Sequence, residues 1–126
     1  MIVQSAAART AYARPEAPQR TPRSLEYELL ARATQGLSKA WSHKATEYAA
    51  LVAALDENQQ LWSTLAADVA EPENSLPVQL RAQLFYLYEF TAQHSHAVRE
   101  KNASVEVLID INTAVMRGLR GQGVAA

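Results

Sequence analysis

Four blocks of apolar residues at helical spacing, separated by prolines, glycines and polar turns, constrain this chain more than any other feature. In the first block Leu25, Leu29, Leu30, Ala33, Leu37, Ala40 and Trp41 recur on one side of a helix. Thr21 and Pro22 form its start signal, a hydroxyl cap followed by a pre-set φ. Gly36 either weakens this helix or lets a neighbour approach closely. Ser42-His43-Lys44 reads as a break. The second helix runs from Thr46 to Ala70, with Tyr48, Leu51, Val52, Leu55, Trp62, Leu65, Ala66 and Val69 as its stripe. One turn of that stripe is missing, at Asn58-Gln59, and Glu71-Pro72 stops the helix because a residue before proline avoids the α region.

The third helix is expected to be capped by Ser75 or a neighbour, with Pro77 in its first turn. Leu80, Leu84, Leu87, Thr91 and Val98 line one face, and Phe85, Tyr86, Tyr88 and Phe90 occupy the others. The fourth opens at Ser104 and carries Val105, Leu108, Ile109, Asn112, Val115, Met116 and Leu119, with Asn112 in the middle of an otherwise apolar stripe. Gly118 and Gly121 mark its end. No segment alternates with period two. The expected fold is all-α, a compact bundle of about four helices. Short connections make the second, third and fourth helices antiparallel neighbours.

Three regions follow from composition along the chain. Residues 1–21 form a basic, proline-rich arm, 22–120 the helical domain and 121–126 a frayed tail. The arm reads either as a short helix followed by a linker or as a disordered tail. Through Arg23, Arg9, Arg14, Arg20 and Arg23 oppose only Glu16, a net of +3, whereas the remainder carries a net of −4. The N-terminal stretch lacks the continuous apolar core of a signal peptide, and no apolar run approaches the roughly 18 residues of a membrane span. No cysteine is present, which removes disulfides, Cys–zinc sites and thiol catalysis and fits a reducing compartment.

Chemistry of other kinds finds little support. His94 and His96 are two apart, on different sides of a helix, and His43 is remote in sequence, so no metal centre is expected. The four glycines form neither a nucleophile elbow nor a phosphate-cradling loop. Glu26 with Glu28, and Glu71 with Glu73, read as solvated carboxylates, not as an acid–base couple. The chain is therefore expected to be no enzyme and to use no cofactor and no small-molecule substrate. What remains is protein binding. Phe85, Tyr86, Tyr88 and Phe90 span most of a helix circumference and cannot all face one core, so one or two should line a partner surface, with Asn112 and Met116 as further candidates. Asn112 either bonds a buried group or marks where a partner docks.

The stretch Trp62 to Leu84, with Asp68, Asn74-Ser-Leu-Pro77 and Leu80-Arg81, resembles the flagellar biosynthesis regulator FlaF family of alphaproteobacteria. So do Leu108-Ile-Asp110-Ile-Asn112 through Met116, Gly118 and Leu119, and the start Pro22-Arg-Ser-Leu25-Glu26-Tyr27. The resemblance covers nearly the whole chain and is weakest from His43 to Glu57 and after Leu119. It implies a non-enzymatic cytoplasmic factor that promotes flagellin synthesis or export, with flagellin as partner, acting opposite FlbT, a repressor of flagellin translation. An RNA-associated regulator acting on flagellin message, with or against FlbT, is the alternative. The family-motif residues Trp62, Asp68, Asn74, Pro77, Arg81, Asp110, Asn112 and Gly118 are expected to be structural. An Asp68–Arg81 bridge is one expectation, because a carboxylate near a helix C-terminus opposes the dipole.

Overall fold

The structure, a computed structural model, describes residues 22–120. Four helices fill that span: α1 (Pro22–Ser42), α2 (Tyr48–Ala70), α3 (Val78–Arg99) and α4 (Glu106–Leu119). The Thr21 cap, the arm and the tail with Gly121 lie outside the described residues. The break at Ser42-His43-Lys44 and the stop before Glu71-Pro72 fall where sequence chemistry places them. Gly36 meets no neighbour: a Cβ built there finds nothing within 4 Å, so its flexibility serves no close helix contact.

The helices run up, down, up and down. One end of the core joins the last turns of α1 and α3 to the first turns of α2 and α4, through Leu37, Ala40, Leu51, Leu55, Val98, Val105 and Leu108. The other end holds Trp62, Leu65 and Val69 of α2 with Leu76 and Leu84, packed by Leu80, Leu87, Tyr88, Ile111 and Val115. α2 packs on α1 and α3, and α4 packs chiefly on α1. The expectation that α4 is a close neighbour of α3 needs correction, since those two touch sparingly. The reason lies in α4 itself. Its buried side chains, Leu108, Asn112 and Leu119, point into the bundle, whereas Ala114 and Gly118 are small and exposed. Small residues one turn apart cannot fill the space that leucines would.

Two caps differ from expectation. α3 starts after Pro77, which stands at the cap position with extended backbone, and Ser75 makes no cap. The turn is held instead by Asn74, whose Nδ2 donates to the Asp68 carbonyl at 3.1 Å and carboxylate at 3.3 Å, while its Oδ1 accepts from the Leu76 N–H at 3.0 Å. Ser104 does act at α4, accepting the Glu106 N–H at 3.2 Å, although Val105 occupies the cap position. The corner after α3 carries Lys101 in the left-handed region, φ 65°, a conformation that costs a non-glycine residue about 1 kcal/mol. Its ammonium sits 5.1 Å above the Tyr48 ring, and the Tyr48 hydroxyl donates to the Arg99 carbonyl, so aromatic contacts hold this corner closed.

The Asp68–Arg81 bridge does not form. Arg81 Nε donates to the Val69 carbonyl at 2.9 Å and Nη2 to the Glu71 carbonyl at 3.0 Å. Carbonyls at a helix C-terminus lack intrahelical partners and carry the negative end of the dipole, so a guanidinium fork satisfies both needs. Asp68 is served by Asn74 instead. Arg81→Ala should destabilise the domain by about 1–2 kcal/mol, and Arg81→Lys should recover only part, because an ammonium has no fork. Urea unfolding checks this as a lower midpoint at unchanged slope. Equal stability of Arg81→Lys and the native chain would show that charge alone matters there.

Candidate binding groove

Between the two apolar ends of the core lies a polar layer. Asn58, Thr91, Ser95 and Asn112 are all fully buried or nearly so. Trp62 Nε1 donates to Asn112 Oδ1 at 2.9 Å, and Asn112 Nδ2 donates to Asn58 Oδ1 at 2.8 Å. This relay ties α2 to α4 across the bundle diagonal, where their backbones do not meet. Thr91 Oγ1 returns to the Tyr88 carbonyl, and Ser95 Oγ approaches Gln59 Oε1 at 3.4 Å. Asn58 Nδ2 and Gln59 Nε2 stay buried without a protein partner. The missing turn of the α2 stripe is thus an interior layer. Asn112 belongs to it and takes no part in any surface, which corrects its candidacy as a partner-binding residue.

The sparse α3–α4 contact leaves a groove of about 450 Å³. Leu65 of α2 forms its floor; Leu80, Leu84 and Leu87 make the α3 wall; Ala114, Val115 and Gly118 make the α4 wall. Leu76, Leu119 and the half-buried Glu26 of α1 close one end, and Gln83 and Tyr86 stand at the rim. There α1 and α4 are tied by Arg120, whose Nη2 donates to the Tyr27 hydroxyl at 2.5 Å while its guanidinium lies 5.3 Å from the ring centre. The lining is overwhelmingly aliphatic.

The sequence-derived binding residues divide. Tyr86 is 65% exposed and borders the groove. Phe85 is 39% exposed and is not among the groove-lining residues; it lies edge-on to Tyr88 at 5.7 Å. Tyr88 packs on the core, and Phe90 stacks on His94 at 5.8 Å. Met116 is half-buried and outside the groove. Of the motif residues, Trp62, Asp68, Asn74, Arg81 and Asn112 have the contacts given above, Pro77 opens α3, and Asp110 is exposed. Gly118 is the one motif residue that forms groove wall. The groove's leucines read from sequence as stripe or family-pattern residues and not as a binding surface, and Ala114 is not singled out there. The readable signal was the pair Ala114 and Gly118, small residues four apart on a helix otherwise apolar on that side.

The histidines stay apart. His94 Nε2 bonds the Ser104 carbonyl at 2.8 Å, His43 Nδ1 bonds the Lys39 carbonyl at 3.0 Å, and His96 lies on the surface 4.0 Å from Glu100. Among the described residues no cluster of three or more His, Asp or Glu stands ready for a metal ion. No helix among them is long and apolar enough to cross a membrane.

Fold and groove together define an up-and-down four-helix domain with an aliphatic cleft open along one side. The family described as flagellar protein FlaF matches residues 8–119, and the chain belongs to that family. It is therefore a flagellum-related protein. No curated protein and no solved structure matches it.

Proposed function

We propose that this chain is a non-enzymatic cytoplasmic factor that binds flagellin and promotes its synthesis and export, opposing FlbT. The observation that carries the reading is the aliphatic groove between α3 and α4. Flagellin's terminal segments are amphipathic helices that self-associate when a filament forms. A carrier must cover such a stripe before export, and a helix laid in a groove does so by apolar contact. Residues Leu80 to Leu87 of α3 rise about 10 Å, roughly two helical turns, and Leu76 extends the wall beyond the helix start.

A flagellin terminal peptide titrated into the full chain should bind at micromolar concentration. The heat-capacity change should be negative and the affinity nearly independent of salt. No complex at any salt would overturn the reading. Affinity for flagellin message that falls steeply with salt would instead favour the RNA-associated alternative. Five cations of the described residues are engaged within the domain, while Arg32, Lys39 and Arg117 stand exposed. Arg81 caps α2, Lys44 lies 4.2 Å over Trp41, Lys101 covers Tyr48, Arg120 meets Tyr27, and Arg99 pairs with Asp56 at 3.3 Å.

A further inference from the structure

We infer that the groove between α3 and α4 is occupied, in the free protein, by the chain's own segment 1–14, which flagellin must displace. The inference rests on the groove being the flagellin site and adds its regulation.

Three observations point to this occupant. The first is position. The segment enters α1 at Pro22, and Glu26, one turn later, closes the end of the groove. The Tyr27–Arg120 contact holds the start of α1 against the end of α4, so a chain arriving there stands at the groove mouth. Prolines 15, 18 and 22 favour an extended connection of about 3 Å per residue, enough for residues 15–21 to turn back and place the preceding residues along the cleft.

The second is pattern and size. Val3, Ala7 and Ala11 recur four apart, with Ala6 beside them, a narrow apolar stripe of mostly methyl side chains. A groove of about 450 Å³ between leucines on one wall and Ala114 and Gly118 on the other takes small side chains along a helix more readily than a row of aromatics. Charge agrees, since a segment carrying Arg9 and Arg14 approaches a body of net −4.

The third is extent. The family match begins at residue 8, ahead of α1, so residues 8–14 of the segment fall within the same match as the bundle.

The absence of cysteine makes the test direct. A nitroxide is attached to Ser5→Cys in the ¹⁵N-labelled full chain, and its relaxation effect on backbone amides is read. Leu80, Leu87, Ala114 and Gly118 should lose intensity, and Leu51 and Val105, at the opposite end of the core, should keep it. The Val3→Asp/Ala7→Asp variant, which touches no bundle residue, should restore the signals. It should also tighten apparent binding of the flagellin terminal peptide about tenfold, as expected if the groove is free one-tenth of the time. Undiminished groove signals, or an even loss over all four helices, would overturn the inference. So would a loss seen only in unlabelled copies mixed with spin-labelled ones, which assigns the groove to a second copy. If the groove signals fall but no flagellin peptide binds the Val3→Asp/Ala7→Asp variant, the arm docks and the flagellin reading fails. If peptide binds the native chain and the groove signals never fall, the flagellin reading stands and the arm is not the occupant.

Discussion

Replacing Asn112 by alanine should lower the thermal midpoint by about 10–20 °C, corresponding to a loss of about 2–4 kcal/mol in a domain of this size. Two costs add. Trp62 Nε1 and Asn58 Oδ1 lose their partners while still buried, and a side-chain volume is left empty at a site with no exposure. The layer already holds two unpaired amide nitrogens, at Asn58 and Gln59, so no spare donor or acceptor stands ready to compensate. Asp110→Ala, two residues away on an exposed face, should change stability by no more than about 0.5 kcal/mol. Paired thermal scans of the two variants decide the matter. Similar midpoints would mean that the relay contributes nothing and that the diagonal α2–α4 link is held by packing alone.

Gly118→Glu should abolish binding of a flagellin terminal peptide, weakening it at least about tenfold, while the fold is kept. A Cβ at this position meets nothing within 4 Å, so a β-carbon fits on the existing backbone. Replacing a helical glycine favours the helix, and a carboxylate in the last turn opposes the dipole, which leaves a net stability change within about 1 kcal/mol. The carboxylate would then stand on the α4 wall, where a partner's apolar stripe must exclude water from it. Phe85→Glu is the informative companion, because Phe85 is exposed on α3 but outside the groove. It should leave the affinity intact. Loss of binding in Phe85→Glu with retention in Gly118→Glu would move the site from the groove to the outer aromatic face.

That contrast matters because sequence and structure differ over where a partner meets α3. Counting aromatics around the helix correctly leaves some of them outside the core, and Tyr86 and Phe85 are the two with the largest exposure. Circumference, however, does not say which neighbour lies beside each face. The apolar cleft is built from leucines that look like ordinary core residues in sequence. Leu80 and Leu87 remain only half-buried because the facing wall of α4 is short and made of small residues.

Much of the fold was set by local chemistry that sequence displays directly. Helical periodicity, Pro22, the Glu71-Pro72 stop and the polar break after Ser42 define four helices and nearly all their limits, because each acts within one or two turns. Family membership was legible for a related reason: Asp68 with Asn74 and Leu80-Arg81 is a local turn pattern, and residues 8–119 carry the match. Tertiary structure decided the rest. Only packing shows that Arg81 caps α2 carbonyls and leaves Asp68 to Asn74, since both alternatives bring the same residues to the same turn. Only packing shows that the gap at Asn58 is closed by Asn112, fifty-four residues on, through a hydrogen bond no periodicity encodes. And α4 settles against α1 in preference to α3, with the small Ala114 and Gly118 on the wall that faces α3. The groove is the space left by that choice, a property of four helices together that no single stripe contains.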